Sequence, residues 1–342
     1  MVQRYSAAAV QFDAKITSTK SEVKNNLRHV LRTIDEIMVG YEGYSHPAKF
    51  VAFPEFAVTT YFGNNIKENM AIADTVPGEV TDTIGEMAKK HRVYVTLGGV
   101  QEVDPKWKGA LFNCAPLIGP SGKVLMKYRK VQPFVPAEFC CSPHDLLPEG
   151  YDEPLFPVAK TPLGNIGLLI CYDGMFPEAV RQLAYNGAEI VVHPTACPDP
   201  WGSYPTNWWE ITDLAHAIFN SIYMVVPTLN PTRMSPFTWS TRSSIIDYQG
   251  RYLSRTPEQG EHIAYATIDV EALRSYRNET VGNQMLAHLR TEAYDYMKKT
   301  IYPPSPKEHR DEKLDFPKQL AYTRKAVRGF YDKSSFHDDG RE

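Results

Sequence analysis

An α/β fold in which helices cover the sheets is predicted for this 342-residue chain on three observations. Short β-branched runs alternate with segments of helical spacing over most of the length. Hairpin signals such as Gly119-Pro-Ser-Gly122 interleave with strand–helix–strand units, which argues against a purely parallel, doubly wound sheet. The composition, 43% hydrophobic and 23% charged, is that of a folded protein large enough to bury a sizeable core.

The elements follow in order. Ser6–Phe12 reads as a strand, and Lys20–Met38 carries Val23, Leu27, Val30, Leu31, Ile34, Ile37 and Met38 at the spacing of one helix face. Phe50–Phe53 is a strand ended by Pro54, a helix spans Thr81–His91, and one strand is expected over Val93–Val100. Phe112–Ile118 with Lys123–Tyr128, and Phe156–Ala159 with Asn165–Ile170, are hairpins. The helix Pro177–Asn186 stops at Gly187, and the strand Glu189–His193, the helix Asn207–Asn220 and the strand Tyr223–Thr228 follow. Ser243–Asp247 and Tyr252–Ser254 bracket a turn, Ile263–Ile268 is the last strand, and a helix starts near Val270. Beyond about Ser275 the strand pattern ends. Residues 303–342 are rich in proline and charge, with an amphipathic stretch near Leu320–Phe330 whose apolar residues suit docking on another subunit.

A net charge of -3 with both signs interspersed speaks against a nucleic-acid partner and an anionic membrane surface. No run approaches the roughly 18 apolar residues of a membrane span. The five cysteines, with no export signal at the N-terminus, read as free thiols of a cytoplasmic protein. Neither a CxxC pair nor HExxH supports a metal site, and no cofactor is expected.

The sharpest local feature is Gly167-Leu-Leu-Ile-Cys171-Tyr-Asp-Gly174, followed by Met175-Phe-Pro-Glu178. A buried-type strand runs into a cysteine, a tight turn and a helix opening with proline. Such an elbow lifts its first residue above the sheet edge and aims nearby backbone N–H groups at whatever the side chain attacks. Alone, Cys171 fits a core thiol as well as a nucleophile. Thiol attack on an amide carbonyl also requires a base and an oxyanion donor. Glu55, in Val51-Ala-Phe-Pro-Glu55-Phe, is a strand-end carboxylate with apolar flanks on both sides, the setting of a raised pKa. Lys130, in Lys127-Tyr-Arg-Lys130, ends a hairpin strand and shares a face with Tyr128.

Phe53-Pro-Glu55, Tyr128-Arg-Lys130 and Ile170-Cys171-Tyr-Asp173, in that order, resemble the motifs of the nitrilase superfamily of carbon–nitrogen hydrolases. Ala9-Val-Gln-Phe12, the Asn113 strand, Gly187-Ala-Glu-Ile-Val191 and Ser243-Ser-Ile-Ile-Asp247 add to the likeness, which covers roughly residues 5–285. The resemblance implies a four-layer α-β-β-α sandwich over residues 1–285 that pairs into a homodimer or larger homo-oligomer, with 286–342 as an extension docked on a partner subunit. It implies Glu55 as general base, Cys171 as nucleophile, Lys130 as oxyanion-stabilising cation and the Tyr172 N–H as a second oxyanion donor. Glu138, in Lys130-Val-Gln-Pro-Phe-Val-Pro-Ala-Glu138, resembles the second glutamate of aliphatic amidases and formamidases, which holds the substrate amide.

The implied reaction is hydrolysis of small linear amides to acid and ammonia through a Cys171 thioester. Phe134 stands where some relatives have tryptophan, and His193-Pro-Thr195-Ala-Cys-Pro-Asp-Pro-Trp201 departs from the aliphatic amidases and is expected in the pocket wall. Nitrilase and N-carbamoyl-amine hydrolase activities would use the same residues. A non-catalytic dimeric scaffold is the alternative of another class.

Overall fold

The computed structural model describes residues 1–40, 46, 48–60, 66–134, 138–197, 207–230, 242–258, 260–282, 284–298 and 316–332. Its first strand, β1 (Tyr5–Gln11), is buried along its whole length. Helix α1 (Lys20–Gly40) opens on a capping box: the Glu22 N–H donates to Thr19 Oγ1 (3.3 Å) and the Thr19 N–H to Glu22 Oε2 (2.9 Å). There follow β2 (Ala48–Phe53), α2 (Ile66–Ile72), α3 (Glu79–His91), β3 (Tyr94–Leu97), β4 (Val100–Val103), β5 (Leu111–Ile118) and β6 (Val124–Arg129). With β13 (His262–Ile268) these strands form a seven-stranded sheet in the order β13-β1-β2-β3-β5-β4, with β6 also paired to β5. Strands β1, β2 and β3 run parallel, so each step between them needs a crossover, and α1 and α3 lie in those connections.

A second, six-stranded sheet has the order β12-β11-β10-β9-β8-β7. It comprises β7 (Val158–Thr161), β8 (Gly164–Leu168), β9 (Ile190–Val192), β10 (Tyr223–Val226), β11 (Ser244–Ile246) and β12 (Tyr252–Arg255), with α4 (Pro177–Tyr185) and α5 (Trp208–Asn220) in its parallel crossovers. Strand alternation sorts the first sheet's side chains. Ala8, Val10, Val51, Phe53, Val95 and Leu97 pack with Val30, Ile34 and Ile37 of α1 and Ile84 of α3. Ala7, Ala9, Phe50, Ala52, Leu117 and Tyr128 face the other way, into a core shared with Ile166, Leu168 and Val192 of the second sheet and Val180 and Leu183 of α4. The result is the expected α-β-β-α sandwich.

Two details correct the sequence reading. The single strand expected over Val93–Val100 is two, broken at Gly98-Gly99: β3 pairs parallel with β2, and β4 pairs antiparallel with β5. Gly99 has φ +75°, and a Cβ there would lie 2.3 Å from the Phe56 nitrogen. A short helix, α2, stands where none was expected. After β13 come α6 (Val270–Glu279), started by the Asp269 side chain accepting from the Ala272 N–H (2.9 Å), α7 (Met285–His288) and α8 (Phe316–Asp332). Helix α8 contains the amphipathic stretch expected at Leu320–Phe330. Among the described residues no helix is long and apolar enough to cross a membrane.

Candidate active site

The strand ends that carry the three motifs meet at the carboxyl edges of the two sheets, where α/β folds place their ligands. Glu55 lies two residues past β2 and is 1% exposed. The β3–β4 break holds it there: the Gly98 N–H donates to Pro54 O (3.2 Å) and the Phe56 N–H to Gly98 O (3.1 Å). A Cβ on Gly98 would come within 3.1 Å of Glu55 Cα, so the glycine pair makes room for the glutamate. Lys130, also 1% exposed, follows β6 and is fastened by its N–H to Asn113 O (2.8 Å).

Lys130 Nζ lies 2.9 Å from Glu55 Oε1 and 2.8 Å from Glu138 Oε2. Asn113 Nδ2 gives one N–H to Glu55 Oε1 and the other to Glu138 Oε1, both at 2.8 Å. Glu138 Oε2 also accepts from the Phe134 N–H at 2.5 Å. Two carboxylates are thus clamped by one ammonium and one amide. Both donors to Glu55 land on Oε1, which leaves Oε2 to exchange a proton. An ammonium has three N–H groups, so Lys130 keeps one for a substrate oxygen.

Burial pushes the Glu55 carboxyl above its ordinary value and Glu138 adds to this, while Lys130 pulls it back. Burial opposes charge on Lys130, but Glu138 and Glu55 hold its pKa well above the usual lysine value. The Cys171 thiol is pushed well up, first by burial and then by the Glu55 charge, with Lys130 opposing. The buried Thr195 hydroxyl beside Cys171 also favours the thiolate. Cys171 is therefore a thiol at rest, beside an acceptor whose proton affinity has also been raised.

The elbow forms as its sequence predicts. Cys171–Met175 is a 3-10 turn running into Pro177 at the start of α4, and Cys171 itself has φ +47°. A non-glycine residue in that region is strained by on the order of 1–3 kcal/mol, so the surroundings must enforce it. The Cys171 N–H donates to Pro194 O (2.8 Å) and the Asp173 N–H to Ile170 O (3.1 Å). Tyr172 lies between them, at the first turn of a helix, where no earlier carbonyl of the turn can take its N–H.

The Asp173 carboxylate, fully buried, accepts from Tyr128 Oη (2.7 Å), the Gln132 N–H (2.8 Å) and the Ile170 N–H (3.0 Å). It ties the elbow to the lysine strand, although burial raises its pKa to about 7 against the pull of Lys130 and these donors. Beneath the elbow, His193 Nε2 meets Cys171 O at 2.7 Å and His216 Nε2 meets Gly174 O at 2.7 Å. A Cβ on Gly174 would lie 2.2 Å from His193 Cε1. Gly174→Ala should therefore destabilise the fold by about 1–3 kcal/mol through overpacking, read as a lower midpoint in urea unfolding.

Of the sequence-predicted substrate contacts, Tyr172 and Phe134 stack edge to face at 5.2 Å, and Thr195 lies beside Cys171. Trp201 is outside the described residues. Of the segment His193–Trp201, residues 193–197 are described and buried, and His193 lies below the elbow with Nε2 at the Cys171 carbonyl. Trp209 packs on that ring at 5.5 Å, and Trp208 is half exposed. Asn113, Asp173 and His193 were not singled out as site residues by sequence. Their signal was a polar residue in an otherwise apolar strand or strand end. Among the described residues, no cluster of three or more His, Cys, Asp or Glu side chains could hold a metal ion.

A strained cysteine at a strand–helix elbow, with one carboxylate and an ammonium just past neighbouring strands and a second carboxylate from the segment after β6, has the side chains that thiol acyl transfer calls for. Residues 6–278 match the family model described as carbon-nitrogen hydrolase, and the chain belongs to that family. A formamidase of Bacillus cereus is 28% identical over 225 residues, 65% of this chain and 61% of the formamidase, so the match spans about three fifths of that relative. A carbon-nitrogen hydrolase from Helicobacter pylori superposes with a TM-score of 0.71 at 20% identity, covering 87% of this chain and 99% of that one. An amidase from Nesterenkonia sp. does so at 0.62 and 19%, covering 86% and 96%. These likenesses show the same fold.

Proposed function

We propose that the protein hydrolyses small linear amides to a carboxylic acid and ammonia, with Cys171 as the nucleophile. The observation that carries this reading is the pair of buried carboxylates on one ammonium: Lys130 bridges Glu55 and Glu138 at 2.9 and 2.8 Å. One carboxylate suffices as a base. A second, held by Lys130, Asn113 and the Phe134 N–H, is an acceptor suited to the N–H groups of a substrate amide. The likeness to a formamidase supports the same choice.

In this mechanism the Cys171 thiol gives its proton to Glu55 as sulfur bonds to the amide carbon. The oxyanion is received by Lys130 and the Tyr172 N–H. Glu55 passes the proton to the leaving nitrogen, the C–N bond breaks, and ammonia departs from the thioester. Water then gives a proton to Glu55 and adds to the thioester. The C–S bond breaks, the acid leaves, and the proton returns to sulfur. No step calls on a metal or organic cofactor.

Ammonia release from a panel of small amides, nitriles and N-carbamoyl amines tests the proposal. Turnover of amides is the expected result, and turnover of nitriles alone would sink it. Glu138→Gln exchanges one acceptor oxygen for a donor and should lower kcat/KM for amides about 10²-fold, as a small misplacement of a reactant does. Trp208, Ile211, Ile218 and Phe219, exposed along α5, support self-association through that helix.

A further inference from the structure

The proposed mechanism uses nothing beneath the elbow, yet a buried ionisable pair lies there. His193 is 0% exposed and Asp213, on α5, is 3% exposed. His193 Nδ1 lies 2.8 Å from Asp213 Oδ1, and Nε2 lies 2.7 Å from the backbone oxygen of Cys171. A carbonyl oxygen only accepts, so Nε2 must carry a proton. The partner at Nδ1 is a carboxylate oxygen, which also accepts when ionised. Both ring nitrogens are then donors, and the ring is an imidazolium.

We infer that His193, charged and held by Asp213, polarises the Cys171–Tyr172 peptide and so strengthens the Tyr172 N–H as an oxyanion donor. The C=O of Cys171 and the N–H of Tyr172 belong to one planar peptide group, so a cation drawing electron density to the oxygen makes the N–H more acidic at the opposite edge. Hydrogen bonds joined through a peptide strengthen one another, and a buried site does not screen the effect. His193 is on this account a positioning and polarising residue, with no contact to the substrate.

The groups that face the ring are few. Asp213 comes from α5, Asp173 and the Cys171 carbonyl from the elbow, and His216, also on α5, has its own pKa lowered by burial and in part by His193. Trp209 packs on the ring at 5.5 Å. Burial opposes the charge, but Asp213, the Cys171 carbonyl and Asp173 outweigh it, and the His193 pKa is raised.

The inference rests on the proposed role of the Tyr172 N–H, and Asp213→Asn tests it. Asparagine keeps the shape and can donate to Nδ1, so the ring becomes neutral with its proton still on Nε2 toward Cys171 O. The expected result is a kcat for amides lowered about 10-fold with KM within twofold. That is less than the 10²–10³ of losing an oxyanion donor outright. Methylthiolation of Cys171 by methyl methanethiosulfonate, in which sulfur attacks sulfur and methanesulfinate leaves with no tetrahedral oxyanion at carbon, should keep its rate. Equal losses in both reactions would mean a displaced thiol and overturn the inference, as would an unchanged kcat.

His193→Gln, a neutral donor to the same carbonyl, should behave as Asp213→Asn does. Independently of any turnover, the imidazole ¹⁵N resonances of the wild-type protein should show both His193 nitrogens protonated at pH 7.5. A neutral ring there overturns the inference even if amides are hydrolysed. A charged ring in a protein that hydrolyses no amide would instead locate the failure in the proposed function.

Discussion

Replacing Cys171 by alanine is expected to reduce amide hydrolysis by about 10⁴-fold or more, because nucleophile and leaving-group transfer are lost in one change. The fold should survive. Cys171 is held through its backbone, by its N–H to Pro194 O and its C=O to His193, and alanine retains both. The side chain adds only weak contacts, among them a long 3.9 Å approach of Sγ to Ala196 O. Intact-mass measurement after brief exposure to an amide panel should show an acyl adduct on the wild-type protein and none on the variant. Hydrolysis by Cys171→Ala at the wild-type rate would remove the thioester from the mechanism.

The second large effect is expected of Glu55→Gln. A general base in this position contributes about 10²–10⁴-fold, and glutamine can take up no proton from the thiol. The pH dependence carries a sign. Burial raises the Glu55 pKa above 4.5, its ordinary value, so the ionised form is lost as pH falls through that higher value. The acid limb of kcat/KM in the wild-type protein should therefore lie above the usual glutamate range. In Glu55→Gln that limb should vanish along with most of the rate. A wild-type acid limb at or below 4.5 would mean that the essential base is another group.

Much of this site was legible in the sequence because each principal residue advertises itself locally. Glu55 follows a strand and a proline, Lys130 ends a hairpin, and Cys171 sits between a buried strand and a proline-led helix. Glu138, by contrast, depended on the family resemblance, since a glutamate in an irregular segment has no local signature. The residues that escaped are those whose partners come from far along the chain. Asn113 touches Glu55 across 58 residues and Glu138 across 25, and Asp173 meets Tyr128 across 45. Spacing within one element says nothing about such pairings.

The strand expected over Val93–Val100 failed for a related reason. Its apolar run continues through Gly98-Gly99, and the break follows from Glu55 and Phe56 passing close by, not from the run itself. A glycine pair inside a strand pattern was nonetheless a usable warning of close backbone approach. The layered fold was the easier reading, because the alternation of Ala7, Ala9, Phe50 and Ala52 against Ala8, Val10, Val51 and Phe53 is fixed by the period of a strand.

Asp173 has one further consequence. Its carboxylate accepts hydrogen bonds from the Tyr128 hydroxyl of the first sheet and from the Ile170 N–H just past β8 of the second. Glu55 and Lys130 follow strands of one sheet and Cys171 follows a strand of the other, so the gap between the proposed base and nucleophile depends on how the two sheets stack. Sliding one sheet over the other by a single strand residue, about 3.3 Å, would separate proton donor from acceptor while leaving every helix and strand intact. Catalytic competence in this architecture is thus a measure of shear alignment: a sandwich that is folded but laterally offset would retain its secondary structure and its thiol and lose its chemistry.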